Sequence, residues 1–420
     1  MEWIEGGITA AQGFEAASTA AHIKYEGRRD MAMIYSTVPF AVAGTFTSNV
    51  VKAAPVIWDR DIVRNQKQAQ AVVVNTGIAN ACTGEEGLDI CRRTAWAAGK
   101  ALGIEEKSVL IGSTGVIGMQ IPVDRITEGV KVLAASKAHT PEAGTDASKA
   151  IMTTDTVNKE IACTVTLSGK TVTIGAMSKG SGMIHPNMCT MLAYIATDCA
   201  ISQEMLQKAA SDVVKDTFNM ISVDGDTSTN DTMLLMANGL AENEMITEDC
   251  EDYRIFEDAL YNICRYLARR MAGDGEGATK LIEAIVMHAD TKKNARTLSR
   301  SIIHSNLTKA AVFGKDANWG RVLCAMGYSG ADFDPSSVDV YFAKGLTGFN
   351  TPAGASQYDL PLAICRNGKA ADYSEEAATE ILGSDHVVII ADMHSGEESA
   401  VAWGCDLTYD YVSINADYRS

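Results

Sequence analysis

The sequence has 420 residues, 36 basic against 53 acidic side chains, and a formal net charge of −17. With 46% hydrophobic and only 21% charged residues it can bury a full core over two or three domains, which excludes disorder as the main state. A pI near 4.9 argues against nucleic acid and anionic membrane as partners, since both would be repelled, and leaves small molecules or other proteins.

The first residues, Met1-Glu2-Trp3-Ile4-Glu5, are acidic where a secretory signal would be basic, and no later apolar run approaches the roughly 20 residues that span a bilayer. The expectation is a cytoplasmic protein with no membrane partner. Ala71 to Val74 reads as a strand opening into the loop Asn75 to Asn80, and Leu88 to Leu102 as a helix. Val109 to Ile111 is a second strand, running into Gly112-Ser113-Thr114-Gly115. Both loops sit at strand ends, a common place for chemistry. A small-residue loop from Lys179, rigidified by Pro186, leads to Thr190 and then to a strand-like run ending at Ala196. Ser202 is the expected N-cap of a helix that buries Leu206, Val213 and Phe218. The loop Asp224 to Asp231 and the apolar stretch Thr232 to Met236 follow. Phe256, Leu260, Ile263, Leu267 and Met271 share one face of a helix over Ile255 to Met271, stopped by Gly273, and Leu281 to Met287 is strand-like again. This alternation without long linkers is an α/β or α+β enzyme pattern.

Several motifs fail on context. Gly273-Asp274-Gly275-Glu276-Gly277-Ala278 matches a relaxed dinucleotide fingerprint, but a helix precedes it and a strand follows, the reverse of what that motif needs. Asp224-Gly225-Asp226-Thr227-Ser228 begins like a calcium loop, yet Thr229 stands where glycine is required and Leu235 where glutamate is required. No phosphate loop and no G-x-S-x-G nucleophile elbow is present. The ten cysteines contain no C-x-x-C pair and the seven histidines no metal-ligand spacing, so no metal is expected and most cysteines are read as small buried side chains.

The junction at Thr190 carries a sharper reading. A strained peptide bond before a hydroxyl residue can rearrange to an ester that water cleaves, leaving an N-terminal threonine. The freed α-amine, with an ordinary pKa near 8, then serves as the base for its own hydroxyl. The plain alternative is a threonine at the start of a buried strand. His185 is a rival base, disfavoured because an N-terminal threonine supplies its own amine.

This segment, with Ile151-Met152-Thr153-Thr154-Asp155-Thr156, resembles the ornithine acetyltransferase (glutamate N-acetyltransferase) family of arginine biosynthesis. The resemblance runs end to end. It includes Thr9 to Phe14, Lys52-Ala53-Ala54-Pro55-Val56, Val223 to Asp231, Val312 to Gly320 and the terminal Ile414-Asn415-Ala416-Asp417-Tyr418. It implies self-cleavage between Cys189 and Thr190 into chains of 189 and 231 residues, with Thr190 as acetyl carrier. The implied reaction moves acetyl from N-acetylornithine to glutamate by a ping-pong route. The family pattern also makes Thr114 and Gly115 the oxyanion hole, and assigns substrate binding to Thr153, Lys179, Thr190, Glu276, Asn415 and Ser420. Lys179 would pair with a substrate carboxylate and Glu276 with an ammonium; without the resemblance, each reads sooner as a solvated surface charge. The sequence departs from the family pattern at Cys189, where alanine is usual, at Ile78 in an otherwise Asn-rich loop, and at Val50 in place of a basic residue.

The expected architecture is a layered α-β-β-α-like catalytic sandwich over residues 1–289 and a smaller C-terminal α/β domain over 290–420, its tail returning to the site. No cofactor is expected beyond acetyl-CoA as a co-substrate of bifunctional members, and the cleaved chains are expected to form a heterotetramer of two alpha and two beta chains. An N-terminal-nucleophile aminopeptidase or amidase would share the cleavage and pass the acyl group to water; an uncleaved small-molecule-binding protein would do neither.

Overall fold

A computed structural model describes residues 1–184, 191–346 and 356–417. The strands in chain order are β1 (Glu2–Ile4), β2 (Phe14–Thr19), β3 (Met31–Phe46), β4 (Gln68–Asn75), β5 (Val109–Ser113), β6 (Lys159–Leu167), β7 (Lys170–Lys179), β8 (Leu192–Thr197), β9 (Ile221–Ser222), β10 (Thr232–Ala237), β11 (Leu281–Ala289), β12 (Asp339–Lys344), β13 (Leu362–Arg366), β14 (Lys369–Ala370), β15 (His386–Asp392) and β16 (Glu398–Cys405). The helices are α1 (Ala54–Asp61), α2 (Gly84–Leu102), α3 (Val123–Ser136), α4 (Pro141–Ala150), α5 (Gln203–Val213), α6 (Glu251–Gly273), α7 (Lys292–His304), α8 (Asn306–Phe313), α9 (Trp319–Gly327), α10 (Glu375–Leu382) and α11 (Tyr409–Ala416). The fold class is α/β, with two mixed sheets.

Two compact units emerge. The first comprises Met1–Gly180, Asn187–Val214 and Thr227–Leu267; the second comprises Ser181–Pro186, Lys215–Asp226 and Ala268–Ser420.

The first unit holds the sheet ordered β1-β6-β7-β8-β10-β3-β4-β5, with β2 also on β3. Its hinge is β3. The first part of that strand pairs with β2 and β4, a register shift falls between Tyr35 and Phe40, and the last part pairs with β10. A bulge bends a strand, so β8 and β10 come to face β4 and β5. Alternation does the rest. Val72, Val74, Leu110, Tyr194, Leu234 and Met236 share one inner core, while Ala71, Val73, Val109 and Ile111 pack outward on Ile90 and Ala95 of α2 and Ile126 and Val130 of α3. With α5 against β3 and β10, the layers run helix, sheet, sheet, helix.

The second unit is a seven-stranded sheet ordered β14-β13-β12-β15-β11-β16-β9, with α7 against β11 and β16 and α10 against β12. Ile285, Ala343, Val388 and Ile390 form an apolar cluster on it.

The expected strands at Ala71–Val74, Val109–Ile111, Thr232–Met236 and Leu281–Met287 and the helix at Ile255–Met271 are all present. Ser202 caps α5, its hydroxyl accepting from the Met205 N–H at 3.3 Å. Phe218 is the exception: α5 ends at Val213, and Phe218 is buried from a separate short turn, Phe218–Met220. Ile78 points into the core against α2 and α3, so its apolar side chain leaves the loop polar on its other face.

Candidate active site

In the first unit, β4 and β5 are parallel neighbours in which Asn75 pairs with Ser113, so both strands end at one edge and their loops meet. The loops are stitched together. The Asn75 amide donates to Ile78 O (2.9 Å), the Ser113 hydroxyl to Asn75 Oδ1 (2.6 Å) and Val116 N–H to Gly77 O (3.1 Å). Asn230 locks the pair by donating to Ala79 O (2.6 Å) and Ser113 O (2.8 Å).

This frame shapes the Thr114–Gly115 turn. Thr114 spends its backbone N–H on Asn75 O at 3.1 Å, which leaves its hydroxyl as the group available to a ligand. Gly115 sits at φ +131°, and a Cβ there would lie 2.3 Å from the Gly77 carbonyl carbon, so no other residue fits. Its N–H has no acceptor among the described residues. A hydroxyl and an amide at adjacent positions can both serve an anionic oxygen.

Lys179 ends β7 with its side chain largely buried. Its ammonium donates to Thr153 Oγ1 at 2.8 Å, lies 3.5 Å from Thr114 Oγ1 and 3.8 Å from Asp155 Oδ2. Three of the expected residues, Thr114, Thr153 and Lys179, are thus brought together. The β7–β8 ladder pairs Lys179 with Leu192, two residues beyond Thr190.

Asp155 and Lys159 hold this cluster and were not singled out from the sequence. Their side chains are fully buried and paired at 2.7 Å. Asp155 also accepts from Gly180 N–H (2.7 Å) and Thr153 N–H (3.1 Å). Burial alone would raise its carboxyl, but the charges of Lys159 and Lys179 and the bonds from Lys159 and Gly180 outweigh it and hold it well below the usual carboxylate range. The available signal was an acid four residues before a lysine at a strand entrance. Without a helix, that spacing has no fixed geometry.

In the second unit, Glu276 and Asn415 meet. The Asn415 amide donates to Glu276 Oε2 at 2.7 Å. The buried Glu276 carboxylate lies against Gly182, where a Cβ would fall 2.3 Å from Oε1, and Glu276 N–H donates to Ser181 O at 3.1 Å. Asp224 accepts from Met183 N–H (2.5 Å) and Ile184 N–H (2.8 Å), gripping the backbone just before residue 185. Burial lifts the Asp224 carboxyl above its ordinary value against the pull of those bonds, and burial followed by the Asp224 and Glu276 charges pushes the Tyr411 phenol up. Asp224, which the sequence offered as the start of a failed calcium loop, adds its carboxyl group to that of Glu276, an acidic surround suited to an ammonium group; the neutral Tyr411 phenol beside them was not singled out from the sequence.

Thr190, Cys189, Ser420 and the rival base His185 lie outside the described residues. The Gly273–Ala278 segment joins α6 to β11 and has no dinucleotide-fold context. Among the described residues, no group of three or more His, Cys, Asp or Glu is placed to hold a metal ion, and no helix is long and apolar enough to cross a membrane.

The ArgJ family model matches residues 15–420. The "arginine biosynthesis bifunctional protein ArgJ" of Symbiobacterium thermophilum is 50% identical, covering 100% of both chains. The Bacillus subtilis protein of the same name is 42% identical over 99% of this chain and 97% of its own. Among solved structures, that of arginine biosynthesis bifunctional protein ArgJ from Bacillus halodurans shares 43% identity over 54% of this chain and 99% of its own, with a TM-score of 0.48. Ornithine acetyltransferase of Mycobacterium tuberculosis, solved with ornithine, shares 38% identity over 43% of this chain and 95% of its own, with a TM-score of 0.40. A match across nearly the whole chain, by model and by relatives alike, makes this chain a member of the ArgJ family.

Proposed function

We propose that this protein is an ornithine acetyltransferase of arginine biosynthesis that moves acetyl from N-acetylornithine to glutamate through an acetyl-Thr190 intermediate. The observation that carries the reading is the meeting of Thr114, Thr153 and Lys179 beside the strand that begins just after Thr190. In this reading the precursor cuts itself between Cys189 and Thr190. The new α-amine takes the hydroxyl proton, and the hydroxyl oxygen attacks the acetyl carbonyl. The Thr114 hydroxyl and Gly115 N–H stabilise the tetrahedral oxyanion. Its collapse expels ornithine with the proton, and the glutamate amine then attacks the acetyl-enzyme to give N-acetylglutamate. Lys179, with Thr153, meets a substrate carboxylate, and Glu276, held by Asn415, meets a substrate ammonium. Ser420 completes the substrate contacts on family resemblance alone.

Acetyl-CoA as a second donor, a cytoplasmic setting and a heterotetramer of two alpha and two beta chains belong to the same proposal. Incubation with N-acetylornithine, with and without glutamate, tests it. Acetyl on glutamate is expected; acetate alone would instead mark a hydrolase of the aminopeptidase or amidase kind. A denaturing gel should show two bands. A single full-length band in active protein contradicts the cleavage, and Thr190→Ala should abolish both cleavage and transfer.

A further inference from the structure

In the first unit a pocket of about 550 Å³ opens where the end of β3 meets α1 and α5. Its lining includes Lys52, Arg60, Arg64 and Lys67, with Gln207 and Ser211, the Gln207 amide being held by Gly44 and the Ser211 hydroxyl. Four cations surround one small space, although residues 1–189 as a whole carry as many acidic as basic side chains.

The local neutralisation is slight. Lys67 pairs with Glu204 at 2.9 Å, and Lys52 donates to the Asn49 carbonyl at 2.6 Å. Among the described residues, no ion pair is formed by Arg60 or Arg64. The backbone here is also unusual. Helix α1 continues as a π-helical turn, Ile62–Gln66, closed by Lys67 at φ +62° with its N–H on Ile62 O at 2.9 Å. Such turns are rare and are frequently found at functional sites. This one carries Arg64 and delivers Lys67 to the pocket.

We infer that this pocket binds a ligand bearing a pyrophosphate or several phosphates. Planar guanidinium forks match phosphate oxygens two at a time, and lysines add point charges. A single carboxylate would leave most of the four cations uncompensated. The pocket wall also connects to the proposed reaction centre. Thr47 donates its N–H to Asp231 O (3.0 Å) and its hydroxyl to Ser228 O (2.7 Å), and Asn230 between them holds Ser113 O, next to Thr114. Two sources carry the chemistry: the nucleotide end of an acyl-CoA donor, an identification that rests on the donor reading above, or a free nucleotide or pyrophosphate acting as an effector.

Calorimetric titration of the full-length protein with inorganic pyrophosphate, ATP and coenzyme A, at low and high salt, tests the inference. Binding that weakens with salt is expected, with affinity lost roughly tenfold or more in Arg60→Gln/Arg64→Gln. If acyl-CoA is the ligand, that variant raises KM for acetyl-CoA and leaves N-acetylornithine-to-glutamate transfer unchanged. If polyphosphates bind but acetyl-CoA donates nothing, the pocket stands as an effector site and the donor reading alone falls. No binding by any of the three, or equal binding by wild type and the double variant, overturns the inference. So does a variant that binds nothing differently but changes its oligomeric state, which would make the patch a contact between copies. The single variant Arg64→Gln, at an exposed position, gives the same readout should the double variant fold poorly.

Discussion

Thr114 has already committed its backbone N–H to Asn75, so any help it gives to an oxyanion must come from its hydroxyl. Thr114→Val keeps the shape and removes that group. It should lower kcat by about 10²–10³, the usual loss for one oxyanion donor, with the melting temperature nearly unchanged. Equal loss in Thr114→Ser would count against the assignment. Asp155 carries a different kind of burden. Replacing it with Asn leaves Lys159 and Lys179 buried beside a neutral amide, and should cost roughly 3–5 kcal/mol of stability in urea unfolding at pH 7. Because the folded carboxyl is held below its ordinary value of 3.8, its stabilisation is complete above that value and is lost as pH falls through the lower, folded one. The gap between wild type and Asp155→Asn should therefore narrow at acid pH; a gap that widened would reverse the sign of this argument. Thr114, Thr153, Lys179, Glu276 and Asn415 were singled out through the family resemblance, and the structure adds which of them touch. The holding roles of Asp155, Lys159, Asn230 and Asp224 were not legible, although Asp155, Asn230 and Asp224 lie in segments that carry that resemblance, because a side chain that holds other residues in place is recognised by its partners, and those partners are 25 residues away for Asp155 and Gly180 and 117 for Asn230 and Ser113.

At the scale of elements, periodicity read the short strands and long helices well, since a strand buried on both faces gives an apolar run and a one-sided helix gives a stripe. It stopped short at the end of α5. Phe218 continues the apolar spacing, but the chain breaks into a short turn after Val213, and burial of Phe218 gave no sign of that break. The bent β3 was also beyond reach, because its two parts serve different neighbours and the register shift that turns it leaves no mark in composition. Helix α11 is the opposite case: it buries no residue of its own, yet Asn415 on it donates to Glu276. Deleting residues 415–420 should thus raise the substrate KM while leaving the unfolding transition almost in place; unchanged kinetics would take the tail out of the reaction.

Across the whole molecule the charge is lopsided. Residues 1–189 carry 18 basic and 18 acidic side chains, and residues 190–420 carry 18 and 35, so the entire excess of −17 lies after the proposed cut. Opposite net charge cannot bind such chains together. Mature chains should therefore stay together in about 1 M salt, where the Debye length falls to about 3 Å; separation there on a sizing column would contradict this. The sheet of the first unit supplies the reason. Strands β8 and β10, which follow residue 190, lie between β7 and β3, which precede it. The polypeptide link across 189 and 190 is thus redundant for keeping the sheet whole. Severing it would release a chain terminus without releasing the strand behind it, because β8 stays hydrogen-bonded along both edges, to β7 and to β10. The same weave would make such a cut harmless to the fold, since each of these strands is held by its neighbours and not by the peptide bond that precedes it.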